Sequence, residues 1–198
     1  QPSGGAEDFY TETQLTAKEK DGLGFSVITV CHIRPKKNLK LILELAERLP
    51  HFRFTIVGDG PQRVQLETQI AERALSNVAM YGNLTRPDVI EVVRTKHCFL
   101  LTSMEEGTPT TIMEAMALGL PVITARVGGI ESIVIDGKNG FIVDGYRPAD
   151  YVKALRILES NRGICEKFGK ANLAKAEAFR WNHVAARIKE EMHTSDES

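Results

Sequence analysis

The chain has 198 residues, of which 42% are hydrophobic and 26% are charged, and these values are typical of a single globular domain with a sizeable core. Its 25 basic and 26 acidic residues leave a net charge of -1, which gives no support for a general nucleic-acid-binding surface. The three cysteines, Cys31, Cys98 and Cys165, are isolated and odd in number. They predict neither a disulfide framework nor a metal site, and a reducing, cytoplasmic setting fits best.

The ends of the chain indicate how it is organised. No apolar run approaches the roughly 20 residues that a membrane-spanning helix requires. No signal peptide is visible, and the chain begins with Gln1 rather than Met, which favours a piece of a longer protein. Residues 1–24 are polar and lack periodicity, so we interpret them as a linker or a poorly ordered arm.

From Phe25 onward, short β-branched or aromatic segments alternate with amphipathic ones. Strands are predicted at residues 25–31, 52–57, 77–82, 97–102, 121–125 and 141–144. Helices are predicted at residues 39–49, 62–75, after an N-cap at Thr85, between the motif loop and Gly119, and at 148–159, 163–178 and 181–193.

This alternation predicts an α/β fold with a doubly wound, mainly parallel, six-stranded Rossmann-like sheet that carries helices on both faces. Ligands bind at the carboxyl ends of the strands in such folds, so the loops after strands one, two, four and five are the candidates for a site. We expect residues 25–180 to form this domain and residues 181–198 to form a C-terminal helix and tail.

The segment EEGTPTTIMEAMALGLPVITA, from Glu105 to Ala125, carries the most specific signal. Glu106 and Glu114 are eight positions apart and flank a turn that opens a short helix. The free amides at the start of that helix are suited to an anionic group such as a phosphate. The two carboxylates can accept hydrogen bonds from hydroxyls on either side of it. A phosphate flanked by hydroxyl-rich groups describes a sugar nucleotide.

This segment, followed by GGIESIVIDGKNGFIV at residues 128–143, resembles the donor-binding, C-terminal half of retaining GT-B glycosyltransferases of the group 1, or family 4, class. That class carries two glutamates separated by seven residues, and Glu106 and Glu114 reproduce the spacing. The resemblance runs from about Phe25 to the end of the chain, and it implies that the closing helix and tail, which start at Trp181, pack toward an N-terminal domain. It implies that Glu106 contacts the donor sugar near the reacting centre and that Glu114 holds the ribose hydroxyls.

The basic loop after the first strand resembles the family's Arg-Leu-x(3)-Lys-Gly/Asn pattern, whose two basic side chains hold the diphosphate. Lys37, followed by Asn38, falls on the family's lysine, whereas His32 stands in place of its arginine. Because an imidazole has an ordinary pKa near 6.5 and is mostly neutral at cytoplasmic pH, one diphosphate charge loses its partner unless Arg34 or a protonated His32 supplies it. The residues alone leave these alternatives open.

The remaining predicted donor contacts come from two loops. The GDGP turn after the second strand borders the nucleotide pocket by resemblance, and its glycines permit a close approach of the backbone. The motif turn and the first turn of its helix offer amides and hydroxyls to the phosphates. The members of these two groups are Gly58 and Gly60, and Thr108, Thr110, Thr111 and Ile112. By resemblance, Gly128, Gly129 and Glu131 lie beside the donor site.

No metal ion or other cofactor is expected. No Asp-x-Asp pair follows a predicted strand, and helix amides together with a lysine can neutralise a diphosphate without an ion.

The sequence therefore predicts the donor domain of a retaining transferase that takes a hexose or N-acetylhexosamine from a nucleotide-diphosphate sugar, with UDP favoured over GDP or ADP. A saccharide or lipid-linked molecule is the expected acceptor. An N-terminal domain of the same protein is expected to bind that acceptor and to provide any peripheral membrane contact. One alternative is a degenerate or regulatory sugar-nucleotide-binding module, which the presence of His32 in place of an arginine supports. Another is a glycogen-synthase-like or epimerase-like enzyme.

Overall fold

The computed structural model describes residues 24–107 and 110–195, and the side chains of its last helix up to residue 178. This description leaves out almost all of the predicted arm at residues 1–24. It also leaves out the predicted site residue Thr108 and the side chains of residues 181–198. The division of the chain at residue 180 and the packing of its tail toward a second domain stay predictions.

Six parallel strands form one sheet in the order β3-β2-β1-β4-β5-β6. They are β1 (Ser26–Val30), β2 (Arg53–Val57), β3 (Val78–Tyr81), β4 (Cys98–Leu101), β5 (Val122–Ala125) and β6 (Gly140–Val143). The central strands are buried over nearly their whole length, as expected for strands that are covered on both faces. The predicted Rossmann-like α/β fold is thus confirmed.

Helices lie between these strands and after β6. They are α1 (Leu39–Arg48), α2 (Arg63–Glu72), α3 (Arg86–Arg94), α4 (Thr110–Ala117), α5 (Pro148–Ser160) and α6 (Arg162–Ser195). Two single turns of 3-10 helix, Pro35–Lys37 and Ile130–Ser132, interrupt loops that the sequence patterns had left without regular structure.

Two apolar clusters fill the space between the sheet and its helices. One lies on the face covered by α1 and α5, and contains Phe54, Leu45 and Tyr151. The other lies on the opposite face beneath α3 and α4, and contains Ile90 and Met116. Because α3 follows β3 and α4 follows β4 in a parallel sheet, both helices start at the same edge of the sheet.

Local chemistry explains where two of the helices begin and end. The Thr85 hydroxyl accepts a hydrogen bond from the Asp88 amide at 3.4 Å, so the predicted N-cap of α3 is confirmed. Helix α4 ends before Gly119, whose φ of 72° places it in the left-handed region that glycine adopts without strain.

The C-terminal part differs from the prediction. The two helices predicted at residues 163–178 and 181–193 form the single helix α6. The junction between them, Ala178-Phe179-Arg180, holds neither glycine nor proline, so nothing in the local sequence ends the helix there.

Candidate functional site

The order of the strands places the candidate site at the carboxyl ends of β1 and β4. These two strands are neighbours in the sheet, and the chain leaves them in opposite directions along it. A crevice forms where the strand order reverses in this way, and ligands of doubly wound folds bind there. The loop at residues 31–38 follows β1 and the loop at residues 102–109 follows β4, so the basic loop and the motif loop border the same crevice.

Lys37 and Glu106 meet across this crevice. Lys37 Nζ donates a hydrogen bond to Glu106 Oε1 at 2.7 Å, and the two side chains are only 16% and 9% exposed. The structure therefore brings together the lysine that the resemblance assigns to the diphosphate and the glutamate that it assigns to the donor sugar near the reacting centre, the two residues predicted to be catalytic. A lysine and a carboxylate at this distance form a charge-assisted contact that orients both groups.

Further hydrogen bonds hold the two loops together. The Thr102 hydroxyl donates to the Lys37 carbonyl at 2.9 Å, and the Met104 amide donates to the Lys36 carbonyl at 2.7 Å. From the loop after β6, the Tyr146 hydroxyl donates to the Ser103 carbonyl at 3.1 Å. Because these bonds involve the backbone of both loops, they fix the positions of the two loops that carry Lys37 and Glu106.

Cys31 lies behind this pair. Its side chain is buried, and burial raises the pKa of the Cys31 thiol to about 11, although the positive charge of Lys37 opposes the shift and the negative charge of Glu106 adds to it. A thiol with this pKa stays protonated at neutral pH. It therefore acts as a packing residue beneath the site.

Glu114 lies on the second turn of α4 and contacts a residue that the sequence patterns did not indicate. Its Oε1 lies 3.3 Å from Nη2 of Arg86, the first residue of α3, and the two side chains are 19% and 31% exposed. Burial raises the pKa of the Glu114 carboxyl, and the Arg86 charge lowers it in part. No short motif predicts this contact. Arg86 and Glu114 are distant in sequence, and they meet only when α3 and α4 pack on the same face of the sheet.

His32 and Arg34, the two candidates for the family's arginine position, are both exposed. They alternate with the buried residues Cys31 and Ile33, and side chains two positions apart in extended backbone project to the same side. Neither side chain makes a hydrogen bond or ion pair with any residue in the described ranges 24–107 and 110–178. Both are therefore oriented together toward solvent, and their role in donor binding stays a prediction.

Gly58 and Gly60 have a packing role that their sequence context did not reveal. A Cβ on Gly58 would lie 1.9 Å from the Cys31 carbonyl oxygen, and one on Gly60 would lie 2.3 Å from the Ile33 carbonyl oxygen. The loop after β2 thus approaches the loop after β1 as closely as backbone can, and the Ile33 amide donates to the Asp59 carbonyl at 2.8 Å. The glycines support the basic loop directly, whereas their predicted contact with a donor stays a prediction.

Helix α4 begins next to the motif loop, as predicted, with Thr110 exposed, Thr111 half-buried and Ile112 buried. The amides of its first turn have no partner within the helix, which makes this end electropositive. Since Thr108 lies outside the described residues, its predicted contact stays a prediction.

The loop after β5 lies against the motif loop. A Cβ on Gly128 would lie 3.6 Å from the Glu106 carbonyl oxygen, and one on Gly129 would lie 3.9 Å from that of Gly107. Arg126 secures this loop through ion pairs with Glu131 and with Asp144 at the end of β6. The Gly-Gly turn therefore lies beside the motif loop and Glu131 binds Arg126, while their predicted position beside a bound donor stays a prediction.

Among residues 24–107 and 110–178, whose side chains the structure describes, no cluster of three or more His, Cys, Asp or Glu side chains is arranged to bind a metal ion. Within the same residues, none of the helices combines the length and the apolar character needed to cross a bilayer.

The chain as a whole matches the family model of glycosyl transferases group 1 over residues 12–175. This match covers most of the sequence, and the chain belongs to that family.

Relatives of known class agree with this assignment. The chain is 30% identical over 172 residues to the sulfoquinovosyl transferase SQD2 of Arabidopsis thaliana, an alignment that covers 85% of the chain and 33% of that protein. It is 34% identical over 158 residues to a D-inositol 3-phosphate glycosyltransferase of Streptomyces bingchenggensis, with 75% and 35% covered. The chain therefore spans about a third of the length of these relatives.

Solved structures show the same fold. The Anabaena protein HepE in complex with UDP and glucose superposes with a TM-score of 0.81 at 20% identity, covering 94% of this chain and 54% of that one. The C-terminal domain of LpcC, a group 1 family glycosyl transferase of Francisella tularensis, superposes with a TM-score of 0.73 at 19% identity, covering 89% and 97%. At these identities the likeness supports the GT-B type of α/β fold.

Proposed function

We propose that this chain is the donor-binding half of a retaining glycosyltransferase and that it binds a nucleotide-diphosphate sugar, with a UDP-sugar as the favoured donor. Its membership of the group 1 family supports sugar transfer from a nucleotide-sugar donor. UDP is favoured because two of the structures that share its fold, HepE and the pneumococcal O-GlcNAc transferase GtfA, were determined in complexes with UDP. The relatives are named as transferases, which does not favour a binding module without transfer activity.

The observation that carries the proposal is the Lys37–Glu106 pair at the crevice between β1 and β4. Lys37 offers a positive charge for a diphosphate, and the first turn of α4 offers amides for the same group. Glu106 and Glu114 lie on either side of that turn and can accept hydrogen bonds from the sugar and from the ribose, respectively. The order of these groups, Glu106, then Lys37 with the α4 amides, then Glu114, therefore matches the order of sugar, diphosphate and ribose in a sugar nucleotide.

In the proposed reaction, the bond between the anomeric carbon of the sugar and the diphosphate oxygen breaks. A bond forms on the same face between that carbon and an acceptor hydroxyl oxygen, and the proton of the hydroxyl passes to the leaving diphosphate. Lys37 and the amides of α4 stabilise the charge that develops on the leaving group, and Glu106 orients the sugar. No metal ion is required in this scheme.

His32 reduces the positive charge around the diphosphate relative to the arginine of the family pattern. Arg34, exposed on the same side of the loop, is the residue best placed to supply it. The variants Arg34→Gln and His32→Arg separate the two contributions, since the first is expected to weaken diphosphate binding and the second to strengthen it.

Calorimetric titration of the chain with UDP, GDP, ADP and their nucleotide sugars tests the proposal. One diphosphate is expected to bind, and Glu114→Gln and Lys37→Met should each weaken it by about 10- to 100-fold, as loss of a charge-assisted hydrogen bond predicts. Glu105→Gln is the matched control, because Glu105 is an exposed neighbour of Glu106. A chain that binds none of these ligands overturns the proposal.

The acceptor, a saccharide or a lipid-linked molecule, is proposed to bind to an N-terminal domain of the same protein, which would also provide any peripheral contact with the inner face of the cytoplasmic membrane. The 198-residue chain alone is therefore expected to bind donor without transferring its sugar. Turnover of a nucleotide sugar by this chain together with a simple acceptor would contradict that part of the proposal.

A further inference from the structure

Arg86 occupies a position that its own helix does not explain. It is the first residue of α3, where the positive end of the helix dipole disfavours a cation. The Thr85 hydroxyl already accepts a hydrogen bond from the Asp88 amide, and the acidic residue suited to this turn is Asp88. A cation at such a position is explained by a partner outside the helix.

Glu114 of α4 is a partner of this kind. The Arg86 guanidinium lies 3.3 Å from Glu114 Oε1, and both side chains are mostly buried. Pro87 follows Arg86 in the first turn and fixes the backbone there, so the guanidinium projects from a rigid helix start. Because α3 and α4 share one apolar cluster that includes Ile90 and Met116, the distance between the two side chains is set by core packing.

The contact leaves the carboxylate able to bind a ligand. Arg86 contacts Oε1, and an ionised carboxylate offers about four lone-pair sites over its two oxygens. A guanidinium at ion-pair distance from one oxygen favours the charged form of the carboxylate, while the other oxygen remains able to accept from hydroxyls. An unpaired and largely buried carboxylate would tend to become neutral instead.

We propose that Arg86 is a positioning residue for donor binding, which holds the Glu114 carboxylate in the orientation and charge state that recognise the ribose hydroxyls. This inference rests on the proposed function, since it assigns Arg86 to the same nucleotide site. Arg86 acts through Glu114 rather than on the sugar or the diphosphate. Loss of Arg86 should therefore reduce the ability of the site to distinguish a ribose from a deoxyribose.

The test compares binding of UDP with binding of 2′-deoxy-UDP, measured calorimetrically on the 198-residue chain. The original chain is expected to prefer UDP by about 10-fold or more, because a site built to accept from a hydroxyl is left with an unpaired group by the deoxy analogue. Arg86→Met should reduce this ratio to nearly one, as Glu114→Gln should. Arg86→Lys should restore part of it, since a lysine keeps the charge but not the fixed fork.

Two further variants separate positioning from structural damage. Arg94→Met removes an arginine that pairs with Glu91 on the same helix, and it should leave the ratio unchanged. The double variant Arg86→Met/Glu114→Gln should discriminate no less than either single variant, because both changes disable one unit. Thermal unfolding of each variant shows whether it is folded, and the ratio is compared only among folded variants.

The outcomes are distinguishable. If no diphosphate binds to the original chain, the proposed function fails. If UDP binds with a preference over 2′-deoxy-UDP and Arg86→Met keeps that preference, the proposed function stands and the role of Arg86 is overturned. If UDP and its deoxy analogue bind equally well to the original chain, Glu114 does not recognise the ribose 2′-hydroxyl and the inference about Arg86 is wrong.

Discussion

Lys37 and Glu106 are 69 residues apart in the chain, yet Lys37 Nζ and Glu106 Oε1 lie 2.7 Å apart at the junction of two loops. In the free chain, each of the two groups proposed to hold the donor is the partner of the other. Donor binding must therefore redistribute this contact, with the diphosphate competing for Lys37. We expect Glu106→Gln to leave Lys37 more available, so that the affinity for a plain diphosphate such as UDP falls less than the affinity for the complete nucleotide sugar.

The same pair makes a prediction about stability. Lys37→Met leaves a mostly buried carboxylate without its cation, and we expect it to lower the free energy of unfolding by about 1–3 kcal/mol. The double variant Lys37→Met/Glu106→Gln should be destabilised by less than the sum of the two single variants. Urea unfolding of the four proteins gives the coupling, and additive effects would contradict a coupled pair.

Gly58 and Gly60 provide a second prediction, because backbone oxygens occupy the space that their side chains would fill. Gly58→Ala places a Cβ against the Cys31 carbonyl and also forces an L-residue to a φ of 129°. We expect it to destabilise the fold by roughly 3 kcal/mol, mainly through overpacking and backbone strain.

Gly107→Ala is the matched control for this substitution. Gly107 lies in the motif loop, and a Cβ there would meet no atom within 4 Å. Its effect on urea unfolding should be within about 0.5 kcal/mol, as for most surface substitutions. Equal effects of the two substitutions would show that Gly58 is not required for packing of the two loops.

The order of strands and helices could be predicted because it depends on short-range patterns that are clear in the sequence. β-Branched runs such as Val27 to Val30 and amphipathic runs such as that of α1 alternate along the sequence, and the structure follows them within one to three residues. The N-cap at Thr85 was likewise readable, since the hydroxyl and its amide partner are three residues apart. The site loops were located for the same reason, because they follow strands.

What could not be predicted depends on contacts between distant segments. The Arg86–Glu114 contact requires knowledge of how α3 and α4 pack, which no local pattern contains. The packing role of the two glycines after β2 could not be predicted, because the carbonyls of Cys31 and Ile33 that fill their space belong to another loop. The sequence patterns predicted two helices where the structure has the single helix α6, although no glycine or proline interrupts the chain near Ala178.

A third prediction concerns a buried pair of asparagines that attaches α6 to the rest of the domain. Asn172 Nδ2 donates to the Leu120 carbonyl at 2.6 Å and to the Asn139 carbonyl at 2.9 Å, and its Oδ1 accepts from Asn139 Nδ2 at 2.8 Å. Asn172→Ala leaves several buried groups unsatisfied, and we expect a loss of about 2–4 kcal/mol. Lys170→Ala, at an exposed position of the same helix, is the control for urea unfolding and should be nearly neutral.

Thiol reactivity gives a fourth prediction. Cys31 and Cys98 are buried and burial raises the pKa of both thiols, that of Cys31 to about 11, whereas Cys165 is partly exposed. Because the thiolate is the reactive form, Cys165 should be alkylated first in the folded chain near pH 8. Mass spectrometry after brief iodoacetamide treatment should find one modified site in the native chain and three in denaturant. Rapid labelling of Cys31 would contradict its position beneath Lys37.

The last prediction is the pH dependence that Glu114 imposes. Burial raises the pKa of this carboxyl from its ordinary value of 4.5, and Arg86 opposes the shift in part. Because the ionised form accepts hydrogen bonds from hydroxyls, donor affinity should decrease as pH falls through the raised pKa, at a higher pH than an ordinary glutamate would require.

The effect of Glu114 on stability has the opposite sign, because the folded state binds this proton more tightly than the unfolded state does. The contribution of Glu114 to the free energy of unfolding is therefore fully present below pH 4.5 and is lost as pH rises through the raised pKa. Donor titrations and urea unfolding over this pH range measure both trends, and Glu114→Gln should abolish the part that belongs to this residue. Identical pH profiles of the original chain and Glu114→Gln would show that Glu114 does not titrate in this window.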